Sequence, residues 1–188
     1  MCARYEFYTP TDNEEIAAIL EMMDRLYPGE YKTGEILPGD TAPAVIERRE
    51  KIVPVPAVFG FPGFRNGQLL INARSETAAE KKTFAESLRE RRAVLPATGF
   101  YEWDAGRAKY LFTVDGLAVA YLCGLWKLVE GKFRFVILTR EANETMSPVH
   151  DRMPVIVGAD GVRPWLTDVS AAMDILANAA PALTAVRV

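Results

Sequence analysis

The chain has 188 residues, 49% of them hydrophobic and 25% charged, with a net charge of −3 at neutral pH. These proportions fit one water-soluble globular domain spanning 1–188 and exclude a disordered or collagen-like chain. No apolar run approaches the ~18 residues of a membrane span. The start, Met1-Cys2-Ala3-Arg4-Tyr5-Glu6-Phe7, lacks the basic-then-apolar pattern of a leader. The expected location is therefore the cytoplasm, away from membranes. Two cysteines, Cys2 and Cys123, and one histidine, His150, are too few for a disulfide framework or a structural zinc site. No metal or cofactor is implied.

In chain order, a helix is predicted over 11–27. Thr11 and Glu14 form a capping box, and Ile16, Leu20, Met23 and Tyr27 share one face. Turn formers Gly34, Pro38 and Gly39 fill 31–41. Residues 44–59 read as two short strands interrupted by Arg48, Arg49 and Lys51, with Pro54 and Pro56 directing the second to a sheet edge. A second helix is predicted over 76–88. Strand-like runs follow at 92–96, 100–103, 110–114, 118–125, 133–139 and 154–157, most separated by glycine-bearing turns. A last helix is predicted over 169–179, capped by Asp168. The expected fold is α+β: a curved, barrel-like, mainly antiparallel β-sheet flanked by helices. Trp103 and Trp126 are expected in the core, with Cys123 as an inert buried thiol.

An acidic total argues against a nucleic-acid partner, because phosphate binding usually leaves a basic footprint. The acids, however, gather early (Asp12, Glu14, Glu15, Glu21, Asp24) and late (Asp160, Asp168). Arg48, Arg49, Lys51, Lys81, Lys82, Arg89, Arg91 and Arg92 stand apart from them, so a local basic groove is compatible with the total.

Cysteine at position 2 has a particular chemistry. Removal of Met1 would leave a 1,2-aminothiol with an amine pKa of about 8 and a thiol pKa of about 8.5. The amine can form a Schiff base with an aldehyde, and the thiol can then close a five-membered thiazolidine. The alternative is a small residue at a frayed end.

Three further segments stand in order behind Met1-Cys2-Ala3-Arg4-Tyr5. They are Leu70-Ile71-Asn72-Ala73-Arg74-Ser75-Glu76-Thr77, Pro96-Ala97-Thr98-Gly99-Phe100-Tyr101-Glu102-Trp103, and Val149-His150-Asp151-Arg152-Met153-Pro154. Together the four resemble the SRAP family (SOS response-associated peptidase), whose members process abasic sites. The likeness runs from the first residue to about Val157. It implies a barrel-like β fold around a groove for single-stranded DNA and a covalent link from the N-terminal cysteine to the ring-opened abasic sugar. It implies a catalytic set of Cys2, Asn72, Glu102 and His150. Arg4, Arg74, Thr139 and Arg152 match positions that touch the DNA backbone, and Lys82 another basic position. The expected partner is single-stranded DNA containing an abasic site, bound by a monomer.

Each role has an alternative. Glu102, flanked by Tyr101 and Trp103, points opposite to both on a strand; it is either an enclosed acid–base group or a solvent-facing glutamate. His150 either transfers protons near neutral pH or is held structurally by Asp151 or a carbonyl. Asn72 either positions Cys2 or the sugar or ends a strand. Arg74 and Arg152 either grip phosphate or pair with Glu76 and Asp151. Phe61 and Phe64 could stack on bases, although the family often carries tryptophans in this loop. Ala3 replaces the family's glycine and would be strained if a positive φ were required there. The family's Asn-Xaa-Ala-Pro segment is not recognisable near 31–43. Two other functions use the same residues: a cysteine peptidase or amidase with Cys2 as nucleophile, for which no oxyanion hole is visible, and a non-catalytic DNA-binding module.

Overall fold

A computed structural model describes residues 2–8 and 14–188. The chain begins with strand β1 (Tyr5–Phe7), helix α1 (Glu14–Leu26), and strands β2 (Gly34–Ile36), β3 (Thr41–Arg48) and β4 (Lys51–Phe59). Short strands β5 (Phe61–Pro62), β6 (Leu69–Leu70) and β7 (Asn72–Arg74) follow, then helices α2 (Ser75–Ala78) and α3 (Ala85–Glu90). Strands β8 (Arg92–Ala97), β9 (Gly99–Trp103), β10 (Lys109–Val114), β11 (Ala120–Val129) and β12 (Lys132–Glu141) form the centre. The chain ends with β13 (Arg152–Pro154), β14 (Ile156–Val157), α4 (Ala159–Thr167), α5 (Val169–Ala177) and β15 (Leu183–Arg187).

The fold is α+β, and its larger sheet is strongly curved. Among the described residues that sheet runs β13-β12-β4-β3-β8-β11-β14, and β11 also pairs with β12. Strands β12, β4, β3, β8 and β11 therefore close on themselves as a small barrel, which removes most free edges. Every pairing in it is antiparallel except β12–β4 and β12–β7. A second antiparallel sheet, β15-β10-β9-β1-β2, lies against it. Its β1 and β9 carry Cys2 and Glu102 toward an apolar cluster shared with the barrel strands. A second cluster, on the other side of the barrel strands, is covered by α3, α4 and α5 and centred on Trp165. No helix among the described residues is long and apolar enough to cross a membrane.

The face read from Ile16, Leu20, Met23 and Tyr27 is the one α1 buries, with Ile16 and Met23 fully covered. The proposed Thr11 cap lies outside the described residues. Asp168 caps α5 as expected, its carboxylate accepting from Ser170 N at 2.7 Å and Ala171 N at 3.1 Å.

Several expectations are corrected. The helix over 76–88 is two short helices. On one continuous helix Ala78 and Phe84 would point about 120° apart; the break lets both enter the second cluster. Strand β4 is interior rather than an edge, yet its prolines are tolerated because β12 pairs with it only at Ala57–Phe59. The turn-rich segment 31–41 includes β2. The strand over 154–157 is two pieces, β13 and β14. Helix α4 and strand β15 were not anticipated. Trp103 and Trp126 are only partly buried, and the core tryptophan is Trp165, whose indole N–H donates to Ala93 O at 2.8 Å.

Candidate functional site

Strand β1 enters between β2 and β9, pairing Tyr5 with Ile36 and Phe100, and Glu6 with Gly99. Gly99, opposite Glu6, lets β9 sit close to β10 on its other side, because a Cβ there would lie 2.7 Å from Leu111 Cδ1 and 3.0 Å from Phe112 O. Tyr101 N donates to Arg4 O at 2.9 Å, continuing the pairing toward Cys2. This end of β1 therefore lies beside the Glu102 end of β9.

Cys2 is fully buried. Burial, and then the neighbouring Glu102 charge, push its thiol up to about 12, against a smaller opposing effect from the Arg4 backbone N–H. It is therefore a neutral thiol near pH 7. Glu102 is 4% exposed, so it is the enclosed carboxyl rather than the solvent-facing one. Asn72 Nδ2 donates to Cys2 O at 3.1 Å. It occupies this place because β7 runs parallel to β12 with Asn72 opposite Ile137. The Asn72 Oδ1 atom is buried with no hydrogen-bond partner among the described residues. Cys2, Asn72 and Glu102 thus come together from three separate segments.

His150 lies in the loop after β12. Met146 and Val149 of that loop pack into the cluster containing Cys2. The Nδ1 of His150 lies 3.0 Å from Arg152 N and 2.9 Å from Asp151 Oδ1. One nitrogen cannot accept from the first and donate to the second together. We assign the acceptor role to the neutral ring, because the Arg152 N–H is fixed in the backbone whereas Asp151 is a largely exposed side chain. The proton of the neutral ring then sits on Nε2.

The other anticipated residues divide into surface and buried groups. Arg74 is exposed and lines an open cleft of about 510 Å3 with Glu141, Ser147, Asp151 and Arg152. Lys82 is exposed between α2 and α3. Phe64 is 90% exposed at its loop tip, but Phe61 is buried against Phe84, so only Phe64 is available for stacking. Thr139 is 1% exposed and its carbonyl accepts from Arg152. Arg152 is itself 8% exposed and bound to both carboxylate oxygens of Glu76 at 2.8 Å. Arg4 lies over the Trp103 ring at 5.1 Å and pairs with Glu35 at 3.1 Å. Ala3 is not among the described residues with positive φ, so the glycine it replaces leaves no strained alanine. The basic run is also revised. Arg92 is buried and donates to carbonyls of Leu88, Arg89, Trp165 and Leu166, serving helix ends rather than a groove.

Some participants were not visible in the sequence. Lys109 Nζ binds Glu35 at 3.2 Å and lies 3.8 Å from the Tyr101 ring centre. Burial acts to raise the Glu35 carboxyl, but Lys109 and Arg4 together hold it below its usual range. The Tyr101 hydroxyl donates to Glu6 in a short hydrogen bond, and its pKa is raised, first by burial and then by that carboxylate. Tyr5 is buried with a hydroxyl that has no partner among the described residues. No spacing rule brings these groups together; only the β2–β1–β9–β10 pairing does.

The chain matches the family model described as "SOS response associated peptidase (SRAP)" over residues 1–188. It is 30% identical to abasic site processing protein YoaM of Bacillus subtilis, over 94% of this chain and 83% of that one. It is 27% identical to abasic site processing protein YedK of Escherichia coli, over 88% of this chain and 79% of that one. A solved structure of a Bordetella bronchiseptica protein shares the fold, with a TM-score of 0.77 and 23% identity, covering 100% of this chain and 99% of that one.

Proposed function

The chain belongs to the SOS response associated peptidase (SRAP) family, and from that premise we propose that it processes abasic sites in single-stranded DNA by capturing the sugar aldehyde on Cys2. The observation that carries this reading is the hydrogen bond from Asn72 Nδ2 to Cys2 O, 3.1 Å, beside a buried Glu102. This reading needs the amine, thiol and carboxyl to act at one carbon, and the Asn72 bond to the Cys2 carbonyl supports it.

Removal of Met1 supplies the free amine. The amine attacks the aldehyde carbon of the ring-opened sugar, giving a carbinolamine. Glu102 takes the proton from nitrogen and delivers it to the departing hydroxyl, so water leaves as the imine forms and the carboxylate is regenerated. The thiol then adds across the C=N bond. Sulfur bonds to carbon, the thiol proton passes to nitrogen, and a thiazolidine results with loss of one water overall. His150 moves protons at the sugar during ring opening and reversal. Arg4, Arg74 and Lys82 bind phosphates, and Phe64 stacks on a base. Thr139 and Arg152 serve the same strand from beneath the surface. One chain supplies every group, and the crosslink shields the lesion.

The test is incubation with single-stranded DNA containing one abasic site, followed by denaturing electrophoresis. A heat-stable, protein-sized shift that vanishes in Cys2→Ser is expected, with intact mass confirming that Met1 is gone. Absence of the shift from mature wild-type protein would sink the proposal.

A further inference from the structure

We propose that Glu76 is a positioning residue for His150, acting through Arg152 to set which imidazole nitrogen carries the proton; its effect on rate rests on the abasic-site reading above. Strand β12 is flanked near its end by β7 on one side and β13 on the other. Thr139 pairs with Arg74 across one flank, and Glu141 with Arg152 across the other. Glu76 lies in α2, which begins directly after β7, so the Glu76–Arg152 pair spans β12 from one flank to the other. The bridge is bidentate, with both N···O distances 2.8 Å, and the same guanidinium donates to Thr139 O at 2.7 Å. This geometry fixes Arg152 in place.

Arg152 is tied to the imidazole by its backbone. Its N–H donates to His150 Nδ1 at 3.0 Å. A nitrogen that accepts there carries no proton, so the neutral ring is held as the Nε2–H form. Asp151 Oδ1, 2.9 Å from the same nitrogen, favours the opposite arrangement, with the proton on Nδ1. The two neighbours compete for one atom, and Arg152 wins while its backbone is anchored. Releasing Glu76 frees the guanidinium, loosens the start of β13, and lets Asp151 draw the proton onto Nδ1. Nε2 then changes from donor to acceptor. Glu76 touches no reacting atom in this scheme; it decides what His150 can offer.

The chain holds a single histidine, so its two ring nitrogen resonances need no residue assignment and are told apart by their couplings to the ring C–H protons. In ¹⁵N-histidine-labelled protein at alkaline pH, wild type is expected to show protonated Nε2 and unprotonated Nδ1. Glu76→Gln should move the populations toward Nδ1–H, and Arg152→Lys should do the same, which covers failure of either variant to fold. At saturating DNA the crosslinking rate should fall about 10-fold in Glu76→Gln, but less than about 2-fold when His150→Ala is already present. An unaltered tautomer in both folded variants, or an equal rate loss with and without His150, overturns the proposal. Wild type that fails to crosslink counts against the abasic-site reading alone, and the ring nitrogens then decide.

Discussion

The two cysteines are both fully buried, and both thiols are pushed above their ordinary range by that burial. Their surroundings differ. Cys123 lies on β11 among Val94, Val136, Val155 and Trp165, and desolvation alone raises it. Cys2 meets the Asn72 amide at its carbonyl, the Glu102 charge near its sulfur, and the Arg4 N–H. Burial by itself therefore does not distinguish the two thiols. The polar groups buried with Cys2 do.

That contrast can be broken or sharpened by four measurements. The largest expected effect is on crosslinking: Cys2→Ser should abolish it, by more than about 10³-fold, whereas Cys123→Ser should keep the wild-type rate. The Cys123 variant should instead lose about 1–3 kcal/mol of stability in urea unfolding, the cost of an unpaired buried hydroxyl. Equal loss of activity in both would erase the distinction. Next, Glu102→Gln keeps the shape and removes the ionisable group; the rate should drop about 10²-fold without loss of thermal stability. Asn72→Ala should slow crosslinking by about 10-fold, and intact mass should still show Met1 removed; a wild-type rate would show that the amide is not a positioning group. The smallest effect is on stability. The Cys2 pKa is raised on folding, from about 8.5 in the unfolded chain to about 12. Its contribution to stability is full below pH 8.5 and is lost progressively above it, up to the folded value. The melting temperature of the Met1-bearing chain should thus fall more steeply between pH 8 and 10 than that of its Cys2→Ala variant.

Much of the barrel was legible because its strands are punctuated by turn residues, and the α1 face and the Asp168 cap because their signals are local. What escaped was set by distant packing. Helix α4 contains Gly161 and Pro164, both helix breakers in isolation, yet it forms because Trp165 and Leu166 bury beside β8. Strand β15 shows no pattern because only Leu183 turns inward; β10 recruits it as an edge. Phe61 and Phe64 look alike in sequence, but one fills the core and the other faces water. The motif segments pointed to Cys2, Asn72, Glu102 and His150. Their supporting partners were hidden, since Glu35 lies 31 residues from Arg4 and 74 from Lys109.

The place of β1 also has a consequence in time. Tyr5 pairs with Phe100, 95 residues later in the chain. At ~5–20 residues per second, the ribosome needs roughly 5–20 s to produce that partner. Until then Cys2 has no pocket, and the bond to Met1 is open to an aminopeptidase; afterwards the residue beside that bond is buried and within reach only through the groove. Trimming and folding are thus in a race that synthesis itself times. A short peptide with this N-terminus should be trimmed readily and the folded Met1-bearing chain hardly at all; equal trimming would show that no such race exists.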